Sequence, residues 1–157
     1  MKSADSRVER ARELREARLT AGLTQAELGQ RVKISASNIS AYEAGSRRLS
    51  DDMFARILAA ARPLPSVVLR ANAARVLEVA RRHGAVDVSV FGSVARGQDR
   101  YDSDIDLLMS FRSGTDLFDL VDLTDELENL LGTGVDVISV GGLNDRDGHI
   151  RAEAVPL

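Results

Sequence analysis

Two carboxylates one residue apart, Asp104-Ile105-Asp106, follow a Gly92-Ser93 pair after a spacer of ten residues, Val94 to Ser103. The pair itself closes the apolar run Val88-Ser89-Val90-Phe91. That spacing constrains the fold more tightly than any other feature of the chain. Residues i and i+2 of a strand point to one face, so Asp104 and Asp106 share a face while Ile105 and Leu107 point into a core. A Gly-Ser turn directly after an apolar strand offers bare backbone N–H groups to a phosphate. A phosphate cradle beside paired carboxylates is the arrangement that metal-assisted phosphoryl or nucleotidyl transfer requires.

The surrounding pattern alternates helix and strand. Residues 66–83 read as a helix, with Val67, Val68, Ala71, Ala74, Val76, Leu77, Val79 and Ala80 at apolar positions and Ser66 as its cap. Ala85 to Phe91 reads as a first strand and Asp104 to Phe111 as a second. Asp116 to Leu131 reads as a helix with Leu117, Leu120, Val121, Leu127 and Leu130 at helical spacing, and Val135 to Val140 as a third strand. A short helix near His149 to Ala154 ends the pattern. The expectation is a small α/β domain with a short mixed sheet.

In that sheet Asp136, second in the third strand, lies level with the Asp104/Asp106 pair. Three carboxylates at one depth suit two Mg²⁺ ions about 3.5–4 Å apart. Gly92 lets the backbone approach the β- and γ-phosphates, Ser93 donates to them, and Arg96 is the nearest cation for charge on a leaving pyrophosphate. The expected catalytic and metal-binding set is Asp104, Asp106 and Asp136, and the expected nucleotide-binding set is Gly92, Ser93 and Arg96. The remaining acids, Asp116, Asp119, Asp122, Asp125, Glu126 and Glu128 on the helix and Asp99 and Asp102 in the loop, read as solvated.

From about Val88 to its C-terminus the chain resembles the minimal nucleotidyltransferases of the polymerase-β superfamily. The pattern is Gly-Ser, ten residues, Asp-x-Asp and a later strand Asp; Ile150-Arg151-Ala152-Glu153-Ala154-Val155 also resembles the usual ending of that family. The resemblance implies ATP as substrate, and it implies an antitoxin that transfers AMP to a tyrosine of a partner ribonuclease toxin of the HEPN class.

The first 62 residues read as a different fold, all helix. A helix from about Arg7 to Ala21 ends at Gly22. Thr24 and Glu27 form a Ser/Thr-x-x-Glu capping box for a second helix that ends near Val32, with Leu23 and Leu28 placed as a hydrophobic staple. Ser35 caps a third helix closed by Gly45, and Ser50 opens a fourth with Asp51 and Asp52 in its first turn. Two short helices joined by a three- or four-residue turn are the skeleton of a helix-turn-helix. Leu23 to Leu28, Ile34-Ser35, Asn38-Ile39-Ser40, Tyr42 to Gly45 and Arg47-Arg48 resemble the phage-repressor (XRE) type, from roughly Arg12 to Ala61. The resemblance implies that Gln25 meets DNA phosphate and that Ala36, Ser37, Asn38 and Ala41 face the major groove. It places Arg47 and Arg48 near the backbone, and Leu28, Val32, Ile34, Ile39 and Tyr42 in the core. The short fifth helix usual in that family is replaced here by a Pro-x-Pro linker. The recognition helix carries small residues and no Arg, so an oligomer or hetero-complex is expected.

Charge divides along the same line. Residues 1–65 hold 12 Lys/Arg against 8 Asp/Glu, and residues 66–157 hold 9 against 16. A basic first half suits a polyanion and an acidic second half suits bound cations. The expected domains are 1–62, a linker at 63–66 around Pro63 and Pro65, and 67–157. There is no cysteine, which excludes disulfides and thiolate metal sites and suits a cytoplasmic protein; no apolar run reaches the ~18 residues of a membrane span. Operator DNA and a toxin are the expected partners, with autoregulation of an operon. Two other readings stay open: a non-enzymatic DNA-binding repressor that binds a partner, and a small-molecule nucleotidyltransferase.

Overall fold

A computed structural model describes residues 2–157, with side chains from Ser6 onward. The chain divides into two compact units, Met1–Pro63 and Leu64–Leu157.

The first unit holds α1 (Lys2–Thr20), α2 (Gln25–Val32), α3 (Ala36–Glu43) and α4 (Asp51–Ala60). Local chemistry sets each boundary. Thr24 Oγ1 accepts from the Glu27 amide at 3.2 Å, and Glu27 Oε2 accepts from the Thr24 amide at 2.7 Å, closing the capping box of α2. Ser35 and Ser50 cap α3 and α4 through the amides of Asn38 and Met53. Leu14, Leu28, Val32, Ile39 and Ile57 are buried at the centre. Ile34 and Tyr42, expected in the core, are only half-buried. The Tyr42 ring instead receives the Arg47 guanidinium, 5.8 Å from its centroid. Arg18 lies buried among the helices. It donates to both carboxylate oxygens of Glu43, at 2.7 and 2.9 Å, and to the Leu23 carbonyl at 2.8 Å. A charge so placed is tolerated because its guanidinium meets both a carboxylate and a carbonyl.

The second unit begins with α5 (Pro65–Arg82), followed by β1 (Ala85–Phe91), the single turn α6 (Gly92–Ala95), β2 (Ile105–Phe111), α7 (Leu117–Leu131), β3 (Val135–Ser139), α8 (Gly148–Glu153) and β4 (Val155–Pro156). The sheet runs in the order β3-β2-β1-β4. β1 is antiparallel to both β2 and β4, and β2 is parallel to β3, so the sheet is mixed as expected. Leu69, Val76, Val79 and Ala80 of α5 and Leu123, Leu127 and Leu131 of α7 pack with Val88, Val90, Ile105, Leu107 and Met109 into one core.

Several expectations are corrected here. Ser66 does not cap α5: Pro65 already occupies the first turn and Leu64 is the cap residue, without a side-chain bond. Proline suits that place because its missing N–H has no partner there in any helix. The Ser66 amide is taken instead by Asp99 at 2.8 Å, so this loop acid is a structural cap rather than a solvated charge. On α7 the buried stripe is Leu123, Leu127 and Leu131, whereas Leu117 and Val121 are exposed. Four acids grouped as solvated have structural partners. Asp116 and Asp119 form a capping box, Glu126 meets Arg82 at 2.5 Å and His83 at 2.9 Å, and Glu128 accepts from the Val135 amide at 3.1 Å. The last strand, β4, was not expected. It pairs Val155 with Val90, and the Leu157 amide donates to the Val88 carbonyl.

Candidate active site and nucleic-acid interface

The N-terminal ends of the parallel strands β2 and β3 gather the predicted carboxylates. Ile105 and Leu107 have no exposed surface, and their alternation turns Asp104 and Asp106 to the opposite face. The parallel register sets Asp106 beside Asp136, and the antiparallel register sets Asp106 beside Phe91, the residue before Gly92. Asp104 and Asp136 are exposed and Asp106 is half-buried. Burial, then the neighbouring charges of Asp136 and Asp104, push the Asp106 carboxyl above the ordinary aspartate range; Arg96 opposes them.

Gly92 is required by this geometry. Its φ of +70° lies in the left-handed region, and a Cβ there would stand 3.0 Å from Asp106 Cγ and closer still to Oδ2. Gly134 is packed against Asp104 in the same way, with a would-be Cβ 2.8 Å from Cγ. The backbone at both carboxylates is therefore bare. Half-buried Ser93 follows Gly92 in the turn α6, and Arg96 closes it.

The predicted DNA-contacting residues are brought together around α3. Ala36 and Ser37 are exposed at its start, Asn38 and Ala41 are half-buried along it, and Arg47 and Arg48 are exposed just after it. Several are already engaged within the chain. Arg47 donates to Asn38 Oδ1 at 2.6 Å, Ser37 Oγ lies 2.9 Å from Ser35 Oγ, and Gln25 donates to Glu43 Oε2 at 3.0 Å. A groove of about 760 Å³ adjoins them, lined by Arg7, Arg10, Arg47 and Arg48 together with Tyr42 and Asp51. Arg10 is anchored there by Asp51 at 2.5 Å and by the Phe54 ring, 5.0 Å away.

Comparison with known proteins agrees with both halves. Residues 76–155 match the family model for polymerase beta nucleotidyltransferases, and residues 9–85 match a helix-turn-helix domain model. The chain belongs to the polymerase-beta nucleotidyltransferase family. The helix-turn-helix match runs on through α5, whose apolar side lies in the core of the second unit. Among relatives, a Methanocaldococcus jannaschii protein with the provisional name protein adenylyltransferase is 40% identical over 70 residues, which is 45% of this chain and 75% of that one. The protein adenylyltransferase MntA of Thermococcus cleftensis is 38% identical over 66 residues, covering 42% and 67%. A solved structure provisionally described as a minimal nucleotidyltransferase superposes with a TM-score of 0.55 at 49% identity, covering 59% of this chain and 95% of that one. A toxin–antitoxin crystal structure with AMP-PNP superposes at 0.50 with 18% identity, covering 54% and 71%, and at that identity it shows likeness of fold alone.

In this nucleotidyltransferase the donors at the site are all carboxylate oxygens, the type that hard divalent cations take. Among the described residues no three His, Cys, Asp or Glu side chains converge into a ready-made metal cage.

Sequence reasoning missed Glu153. Its Oε1 accepts from the Gly92 amide at 3.3 Å and its Oε2 from Arg96 at 2.7 Å, so one carboxylate spans both ends of α6. The signal was present in the Ile150 to Val155 ending, but nothing in linear spacing ties residue 153 to residue 92. Arg7 and Arg10 were missed as neighbours of Arg47 for the same reason.

Proposed function

We propose that this nucleotidyltransferase is a protein adenylyltransferase that moves AMP from ATP to a side-chain hydroxyl of a partner toxin, and that the same chain binds its own operator. The in-register placement of Asp106 beside Asp136, backed by the bare Gly92 backbone, carries the reading. Two relatives named protein adenylyltransferases and the resemblance to minimal nucleotidyltransferase antitoxins support the choice of substrate.

In the transfer, the acceptor hydroxyl releases its proton to solvent and its oxygen forms a bond to the α-phosphorus while the bond to the leaving pyrophosphate oxygen breaks in line. Asp104, Asp106 and Asp136 would hold the divalent cation, Mg²⁺ with two ions expected, which would neutralise phosphate charge and organise the acceptor. Gly92 and Ser93 present backbone and hydroxyl donors to the β- and γ-phosphates. Arg96 faces the charge that builds on pyrophosphate. Direct transfer needs no His, Ser or Cys nucleophile of this chain, so the acceptor comes from the partner. A tyrosine of a HEPN-class ribonuclease is the proposed acceptor.

Residues 1–62 are the proposed DNA-binding domain and 67–157 the transferase. Ala36, Ser37, Asn38 and Ala41 read bases, while Gln25, Arg47 and Arg48 hold phosphates.

The test is the intact mass of the protein encoded next to this gene, co-expressed with wild-type chain and with Asp104→Asn. One or more AMP masses gained only with wild type establish the activity and its substrate. A neighbour that co-purifies unmodified overturns the transferase reading in favour of a binding repressor. No association and no mass change point to a small-molecule acceptor.

A further inference from the structure

The groups assigned to the triphosphate are not idle. The Gly92 amide and the Arg96 guanidinium are bridged by the two oxygens of Glu153, at 3.3 and 2.7 Å. A carboxylate oxygen and a phosphate oxygen have the same sign of charge and the same acceptor chemistry, so they compete for these donors. The contact is built into the fold on both sides of residue 153. Before it, Ile150 packs with Phe91 and Leu108; after it, Val155 pairs with Val90. Glu153 is thereby held over α6 while its side chain keeps 26% exposure on its solvent side. It also stands in an acidic neighbourhood, close enough to Asp106 for the two carboxylates to repel.

We propose that Glu153 is a gating residue: the resident anion of the phosphate subsite, displaced by the triphosphate and returning as pyrophosphate leaves. The inference rests on the transferase reading above and adds to it a device that limits idle nucleotide binding and speeds product release. A closed subsite lowers apparent affinity by the fraction of molecules in which it is open. Removing the charge of Glu153 therefore tightens anion binding, whereas loss of a merely structural side chain loosens it. The opposite signs make the test decisive.

The experiment is titration calorimetry on the full chain, using Mg²⁺-pyrophosphate and Mg²⁺-AMP-PNP as separate probes, with wild type, Glu153→Gln and Glu153→Asp. Glu153→Gln should bind both probes about three- to tenfold more tightly. Its KM for ATP and its inhibition constant for pyrophosphate should fall together while kcat does not rise. Glu153→Asp, which keeps the charge on a shorter stem, should lie between. Affinity that is unchanged or weaker in Glu153→Gln overturns the gate, as does failure of every variant to bind pyrophosphate. Equal AMP-PNP binding by wild type and Glu153→Gln sinks the gate and leaves the transferase reading standing. Tighter pyrophosphate binding in Glu153→Gln without AMP-PNP binding by either protein keeps the gate and sinks the nucleotide reading.

Discussion

Gly92 backs directly onto Asp106. The left-handed turn at residue 92 brings the backbone so close to the Asp106 carboxylate that no side chain fits between them. The Phe91–Asp106 register of β1 and β2 holds this turn against the strand carboxylate.

Gly92→Ala should cost more activity than stability. The new methyl must push Asp106 aside, and the positive φ adds strain of about 1 kcal/mol. Transfer should fall by at least about a hundredfold, because small misplacements of reacting groups are that expensive. Thermal melting and AMP incorporation measured on the same preparation check this; an active Gly92→Ala protein would refute the assigned geometry.

Asp106→Asn should separate function from stability more completely. Burial and the charges of Asp136 and Asp104 disfavour the ionised form. Neutralising the group relieves that repulsion, so the metal-free variant should melt no lower than wild type at neutral pH while transfer is abolished. Operator binding, measured by gel shift, should be unaffected. A strongly destabilised Asp106→Asn would show that the carboxylate is structural.

The Arg18–Glu43 pair should govern the pH response of the first unit. Burial works to raise the Glu43 carboxyl, but hydrogen bonds from Arg18 and Gln25 and the Arg18 charge together outweigh it and hold it below the ordinary glutamate range. A depressed carboxyl contributes stability that is complete above its unfolded value and is lost as pH falls through the folded one. Melting of the helix-turn-helix unit should therefore drop between about pH 5 and pH 3, and this slope should flatten in Glu43→Gln. Arg18→Met, which leaves the carboxylate with Gln25 but without its ion-pair partner, should cost about 3 kcal/mol at neutral pH.

The arginine-lined groove makes the DNA reading measurable. Removing one phosphate-binding cation should make the slope of log affinity against log salt shallower by about one. Replacing Arg7 or Arg48 with Gln should do so uniformly across sequences, whereas Asn38→Ala should alter sequence preference instead. Fluorescence anisotropy with operator and unrelated duplexes at several salt concentrations distinguishes the two. Unchanged slopes would remove the groove from the interface.

Much of this molecule is written in local sequence. The capping box at Thr24 and Glu27, the caps at Ser35 and Ser50 and the breaks at Gly22 and Gly45 act over a few residues, and the structure places them as the sequence predicts. The Asp104/Asp106 face follows from strand alternation alone. The misreadings have one cause. Leu117 and Val121 fit a helical period, yet periodicity does not say which of two overlapping stripes is buried; of the expected positions Leu127 is, together with Leu123 and Leu131. Asp99, Glu126 and Glu128 look like surface charge until a distant amide or cation stands beside them.

The sequence by itself determined the two folds and most of their elements, because caps, turns and strand alternation are short-range physics. Tertiary structure alone decided what meets across long stretches of chain. It paired Arg18 with Glu43 and drew Arg7 and Arg10 to Arg47. It also carried Glu153, 61 residues along the chain, onto the Gly92 amide. Those pairings depend on how packed elements turn toward one another, and no local pattern records that.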